Sequence, residues 1–114
     1  MNHTYRVDRK IVQLLDNYNI PRIYVFDIAC NFAMHNINKF KEFLKSNREE
    51  IKNIENPVVF SVFKTTKQKI EKIKNEINED VHFYEMVHAI ILFFIKYAGE
   101  LNEYIQIGVS DINN

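Results

Sequence analysis

The segment from Phe83 to Tyr97 constrains the fold more than any other part of this sequence. Between Met86 and Ile95, His88 is the only polar residue. A helix that is apolar on nearly every side has to be buried on nearly every side. The segment is shorter than the roughly 20 apolar residues that a membrane-spanning helix needs. It therefore predicts a core helix surrounded by the rest of the chain, with no membrane as partner.

Length and composition predict a single intracellular domain over residues 1–114. The chain is 46% apolar and 13% aromatic, enough for a core without disulfides. Cys30 is the single cysteine, so we expect a buried thiol in a reducing, cytoplasmic compartment. No apolar run follows the first charges as a signal peptide requires. With 15 basic and 15 acidic residues, only a local basic patch is expected.

Hydrophobic periodicity and the scarcity of glycine and proline predict a mostly helical chain with a few short strands. Strands are expected at residues 3–7 and 58–63, with a further short strand at 104–109. Helices are expected at 9–18, 21–34, 39–54, 67–78 and 82–98. We expect N-caps at Asp8 and at Thr65 or Thr66, a break at 35–38, and a C-terminal stop at Gly99.

The order strand, helix, turn, helix occurs twice, at residues 3–34 and 58–98, with a linker helix at 39–54. In the first helices of the two units, Ile11, Leu14 and Tyr18 align with Ile70, Ile73 and Ile77. In the second helices, Val25, Phe26, Ala29 and Phe32 align with Met86, Val87, Ile90 and Phe93. The pattern indicates an internal repeat, and it predicts that residues 25–34 pack against residues 86–95.

Each unit resembles a ribbon-helix-helix DNA-binding domain, with Tyr5-Arg6-Val7-Asp8 and Phe60-Ser61-Val62-Phe63 in the positions of the strands. The resemblance implies a mostly α, tandem ribbon-helix-helix fold in which the strands pair as a small antiparallel β-ribbon. This ribbon enters the major groove of double-stranded DNA. It implies that Thr4 and Arg6 read bases, and that the second strand offers Ser61 or Lys64. Phosphate contacts are implied for Arg9, Lys10, Arg22, Lys64 and Lys67, with the second helices beginning near Pro21-Arg22 and His82-Phe83.

Such a protein would act as a transcriptional repressor, in plasmid or phage maintenance, or as an accessory factor at an origin. A winged helix is the alternative DNA-binding fold, in which residues 58–63 pair with 104–109. Its DNA contacts would be Lys39, Lys41, Lys45 and Arg48. The alternative from another class is a small viral or phage interaction module that inhibits a host protein. A protein partner or a homodimer also stays open.

No motif in the sequence predicts an enzyme, a metal site or a cofactor. Glu85 and His88 have the spacing found in dinuclear carboxylate bundles, but no other predicted helix contains a second motif of this kind. The expected role of His88 is a polar position at the edge of a core helix. Tyr24, Tyr84, Tyr97 and Tyr104 are expected to be half-buried and not to stack on bases. The sequence also contains no glycine-rich phosphate loop and no nucleophile elbow.

Overall fold

The computed structural model describes residues 3–97, in which helices pack behind a two-stranded antiparallel ribbon. The prediction of a mostly helical chain with a small antiparallel sheet is confirmed. The expected strand at 104–109 and the stop at Gly99 lie outside the described residues. In chain order the elements are β1 (His3–Asp8), α1 (Arg9–Gln13, continued by a 3-10 turn over Leu14–Asn17), α2 (Arg22–His35), α3 (Ile37–Ser46), α4 (Arg48–Lys52), β2 (Pro57–Val62), α5 (Lys64–Ile77) and α6 (Phe83–Tyr97).

The two strands pair with each other along their whole length. The register runs from His3 opposite Val62 to Asp8 opposite Pro57. Residues 58–62 thus pair with residues 3–7, which is the pairing expected for a ribbon and not for a wing.

Helix α6 is the predicted core helix. Most of its length is buried, and it contacts β1 and the helices α1 to α5. The ring of Phe93 lies against three other phenylalanine rings, with centroids 5.2–5.5 Å apart. Among residues 3–97, no helix is both long enough and apolar enough to cross a membrane. The buried residues of α6 are Glu85, Met86, Val87, His88, Ala89, Ile90, Ile91, Phe93 and Phe94.

Helices α2 and α6 pack directly on each other, as the internal repeat predicts. Phe32 of α2 lies against Phe93 and Phe94 of α6, with ring centroids 5.2 and 5.9 Å apart. In addition, α2 packs on α5, and α1 packs on α6. The second helix of each strand–helix–helix unit therefore packs on the first helix of the other unit.

The single helix predicted over 39–54 is wrong, because Asn47 divides this region into α3 and α4. The backbone leaves the helical region at Asn36 and again at Asn47. Their side-chain amides donate to the carbonyls of Phe32 and Phe43 at 2.9 and 2.8 Å. Asparagine competes with helical bonding in this local way, which explains both the expected break at 35–38 and the unexpected one.

The predicted start of the fourth helix is also wrong, since α5 begins at Lys64 and not after Thr65 or Thr66. Phe63 precedes α5 and makes no side-chain capping bond. The hydroxyl of buried Thr66 instead donates to Asp27 of α2 at 2.6 Å. By contrast Asp8 caps α1 as predicted, accepting from the N–H of Ile11 at 3.4 Å.

The two units align differently from the prediction in their first helices. Asp8 and Phe63 occupy the same position before α1 and α5, so Ile70 corresponds to Leu15. The predicted partner, Ile11, is one helical turn away. In the second helices the predicted alignment holds, because α2 and α6 begin three residues before their matched positions, Val25 and Met86.

Candidate nucleic-acid interface

The ribbon packs one face on the core and exposes the other. Thr4 and Arg6 in β1, and Val59 and Ser61 in β2, are exposed, whereas the residues between them are buried or half-buried. Val59 is 70% exposed, which is unusual for a large apolar side chain. Because side chains alternate along a strand, these four residues lie on one side, which we call the outward face. The outward face contains one arginine and no acidic residue.

The register arranges the outward face as two cross-strand pairs. Arg6 lies opposite Val59, and Thr4 lies opposite Ser61. Directly opposite residues of antiparallel strands have Cβ atoms about 4.5–5.5 Å apart. The contribution of the second strand, which the sequence left open between two residues, is therefore Ser61, because Lys64 already belongs to α5.

Basic residues flank the ribbon at both ends. Arg9 and Lys10 are exposed and begin α1 directly after β1. Lys64 begins α5 just after β2, and half-buried Lys67 follows one turn later. Because the strands are antiparallel, these two groups lie at opposite ends, roughly 17 Å apart at about 3.4 Å per residue. The single basic patch suggested by the sequence is in fact two smaller clusters.

The basic residues of the predicted site differ in how closely acidic partners approach them. Lys10 and Lys67 lie 3.9 Å from the carboxylates of Glu55 and Glu71, and such exposed, long pairs are weak. Arg22 instead makes a bidentate pair with Asp16, with both N–O distances at 2.6 Å.

This bidentate pair changes the electrostatics at the start of α2. Hydrogen bonding to Asp16 raises the pKa of Arg22, and the same bond lowers the pKa of the Asp16 carboxyl. The positive charge of Arg22 is therefore matched at close range, so we give this residue no part in the proposed interface.

Two of the five lysines of α5 make contacts that stabilise the fold. Lys69 donates to both carboxylate oxygens of Asp27 in α2, at 3.0 and 2.9 Å. The ammonium of Lys74 lies 4.8 Å from the ring centroid of Phe83. Both side chains are half-buried, unlike exposed Lys72, so the exposed positive charge of α5 is not confined to its start next to the ribbon.

A buried hydrogen-bond network anchors one end of the ribbon. The N–H of Asp8 donates to Nε2 of His88 at 2.9 Å, and Nδ1 of His88 lies 2.7 Å from the carbonyl of Ile51. Oδ1 of Asp8 accepts from the N–H groups of Glu55 and Asn56 at 2.9 and 3.2 Å. The network joins β1, α6, α4 and the segment before β2. Asp8 lies on the same side as Arg6 but is only 6% exposed.

The protonation states of this network follow from its geometry. Burial lowers the pKa of His88 below its ordinary value, and its bond to Ile51 opposes this shift without outweighing it. The imidazole is thus neutral at pH 7, with its proton on Nδ1 because Nε2 accepts from Asp8. Burial by itself raises the pKa of the Asp8 carboxyl, but bonds from Asn56, Glu55 and Ile11 outweigh burial and lower that pKa.

Sequence reasoning missed this anchor. The expectation for His88 was a polar position at the edge of α6, yet the side chain is fully buried and bonded at both ring nitrogens. Its place as the one polar residue in a long apolar run was the available signal, because a buried polar group has to find partners.

The other candidate groups have structural roles. Cys30 is buried, as predicted, and burial raises the pKa of its thiol. Within residues 3–97, no group of three His, Cys, Asp or Glu side chains could hold a metal ion. Tyr84 donates its hydroxyl to the carbonyl of Lys52 at 3.1 Å. Tyr24 is 53% exposed and packs on Phe63, with ring centroids 5.3 Å apart.

The outward face and its two basic flanks are the described surface that best fits a polyanionic ligand. No protein-family model matches the chain, and comparisons with curated proteins and with solved structures found no match.

Proposed function

We propose that this protein binds double-stranded DNA through the outward face, as a tandem ribbon-helix-helix protein with two units in one chain. The observation that carries the proposal is an exposed antiparallel ribbon, free of acidic side chains on its outward face, with basic clusters at both ends. A two-stranded ribbon fits the major groove of B-DNA, which is about 12 Å wide. In this proposal Arg6 and Thr4 of β1 and Ser61 of β2 contact base edges.

The packing of the two units supports this assignment. Their strands pair antiparallel, and each second helix packs on the first helix of the other unit. A dimer of ribbon-helix-helix subunits is built on the same exchange of helices around paired strands. One chain with both units would complete the ribbon without a second subunit.

The basic clusters supply the sequence-independent part of binding. Arg9 and Lys10 at one end, and Lys64 and Lys67 at the other, flank the groove-facing residues as phosphate contacts do in other DNA-binding proteins. Four phosphate contacts give a salt slope of about −3.6, so affinity falls roughly 100-fold between about 50 and 200 mM salt. Because the formal net charge is zero, this attraction has to come from local clusters and not from the charge of the whole chain.

Fluorescence anisotropy with a labelled AT-rich duplex at these two salt concentrations tests the proposal. Arg9→Ala combined with Lys10→Ala should weaken binding and reduce the salt slope by about 2. Lys45→Ala removes one charge where Lys45 pairs with Glu79, beyond the far end of α5, and it should leave the salt slope nearly unchanged. A reduced slope in this variant would favour the winged-helix contacts instead. Absent binding, or binding that salt does not affect, contradicts the proposal.

The biological role that follows is an intracellular, cytoplasmic regulator without catalytic activity. Transcriptional repression, plasmid or phage maintenance, and accessory binding at an origin all require sequence-selective contacts in the major groove, and the outward face offers side chains for such contacts. Selective binding to one duplex over a scrambled duplex of equal length supports a role of this kind, whereas equal binding to both argues for a packaging role.

A second candidate function is an interaction module that binds and inhibits another protein. The exposed Val59 favours it, because an apolar side chain in the middle of an exposed face is typical of protein interfaces. Zero net charge points the same way. The anisotropy experiment separates the two functions, since a protein-binding module has no reason to bind DNA with a steep salt dependence.

A further inference from the structure

The two halves of the outward face differ in their chemistry. The register places Arg6 opposite Val59 towards one end of the ribbon, and Thr4 opposite Ser61 towards the other. One half is therefore a guanidinium beside an apolar side chain, and the other half is two hydroxyl groups. A twofold rotation about the centre of the ribbon exchanges β1 and β2 and places Arg6 on Ser61 and Thr4 on Val59. Because these residues differ, the two halves of the outward face are not equivalent.

We propose that the protein recognises a non-palindromic DNA site, in which one half carries most of the sequence information. This inference rests on the proposed function and concerns the kind of site that is bound. Arg6 reads a guanine, Val59 contacts the methyl group of a neighbouring thymine, and the half that faces Thr4 and Ser61 tolerates substitution.

The chemistry of the side chains predicts which half of the DNA site is read selectively. Arginine donates two parallel hydrogen bonds to O6 and N7 of guanine, which no other base accepts in the same geometry. An aliphatic side chain favours the C5-methyl group of thymine, which the other three bases lack. Hydroxyl groups both donate and accept, so Thr4 and Ser61 contact several bases almost equally well.

The anchoring of the ribbon also indicates that the half containing Arg6 and Val59 is the selective one. Arg6 lies two residues before Asp8, whose backbone N–H is held by His88 and whose carboxylate accepts from Glu55 and Asn56. Val59 lies two residues after Pro57, the partner of Asp8 in the register. The backbone next to the selective half is thus fixed to the core by hydrogen bonds, and less backbone entropy is lost when its side chains bind a base.

Selection of binding duplexes from a randomised pool with the full chain tests the inference. The expected consensus is non-palindromic and contains a guanine next to a thymine in one half. Replacing this guanine should weaken binding by about tenfold or more. Replacing the thymine by deoxyuridine, which removes only the methyl group, should weaken binding about fourfold.

Variants of exposed residues assign the two bases. Arg6→Ala should lose the guanine preference, and Val59→Ala should bind the thymine and deoxyuridine duplexes equally. Thr4→Ala combined with Ser61→Ala should weaken binding but keep the guanine and thymine preferences. Glu76→Ala, at an exposed position in the last turn of α5, is the control and should keep both the affinity and the consensus. Because all five side chains are exposed, circular dichroism should show unchanged folding.

The outcomes separate this inference from the proposed function. A palindromic consensus, or a guanine preference that persists in Arg6→Ala, overturns the inference and leaves DNA binding intact. Selection that enriches no duplex, together with no salt-dependent binding, overturns the proposed function, and the inference fails with it.

Discussion

The two strand–helix–helix units of this protein share an order of elements but differ in how their residues are used. The first unit has a strand with polar outward residues, a short α1, and a second helix, α2, with five fully buried residues. The second unit has an apolar strand, a long lysine-rich α5, and α6, in which nine residues are buried. The difference indicates that the second unit mainly builds the core, while the first contributes most of the polar side chains of the outward face.

The substitutions with the largest expected effect on stability remove one aromatic ring from the second helix of each unit. Phe93→Ala should lower the free energy of unfolding by about 3–5 kcal/mol, because a fully buried ring surrounded by other rings leaves a cavity. Phe32→Ala in α2 should cost less, because Phe32 is only half-buried. Urea denaturation followed by circular dichroism measures both. Equal costs would show that the two helices contribute equally to the core.

His88→Leu tests whether the core helix of the second unit holds the strand of the first. The substitution removes both bonds of the imidazole and leaves the N–H of Asp8 and the carbonyl of Ile51 buried without partners. At about 1–3 kcal/mol for each group, the free energy of unfolding should fall by roughly 2–6 kcal/mol. His35→Leu is the control, because His35 is exposed. A similar small loss in both variants would refute the anchoring role.

The same anchor predicts how stability depends on pH. Because the folded-state pKa of His88 is lowered, the unfolded chain binds its proton more readily. Stability is then complete above the unfolded pKa of about 6.5 and falls as pH decreases below it. The lowered pKa of Asp8 adds a second loss at more acidic pH, below about 3.9. Denaturation midpoints between pH 8 and pH 5 should decline in the natural protein and decline less in His88→Leu.

The smallest expected effect concerns the polar contact between the two units. Asp27→Asn weakens the bonds that join α2 to Thr66 and Lys69 of α5. Because the side chains of Asp27 and Lys69 are about a quarter exposed, we expect a loss of about 1 kcal/mol. A double-mutant cycle with Lys69→Met isolates the coupling. Asp16→Asn, which affects the exposed pair with Arg22, should change stability less.

The sequence was sufficient to predict the features that depend on local pattern. The apolar run of α6 required burial, and Asp8 before an apolar helix predicted a cap. Strands were predicted by the alternation of residues 3–7 and by the β-branched and aromatic residues of 58–63. The contact between α2 and α6 followed from the internal repeat. These predictions succeeded because each depends on periodicity or on the chemistry of one or two neighbouring residues.

The features that the sequence did not reveal depend on partners far along the chain. Nothing near His88 indicates that it receives the N–H of Asp8, which is 80 residues away. Thr66 could cap a helix by its chemistry, but its hydroxyl donates a hydrogen bond to Asp27, which is 39 residues away. Asn47 ends a helix whose apolar pattern continues past it, because its amide bonds to a carbonyl one turn earlier. Tertiary partners override local propensity at His88 and Thr66, whereas the break at Asn47 depends on a local bond that the apolar pattern does not reveal.

The register of the ribbon also has a consequence for how the chain folds. Paired residues are separated by 49 to 59 positions, from Asp8 opposite Pro57 to His3 opposite Val62. Closing such a long loop costs entropy before any strand contact compensates for it, so this mostly helical protein should fold more slowly than helical bundles of its size. Substitutions in the ribbon should slow refolding, whereas substitutions in parts that form later should mainly accelerate unfolding.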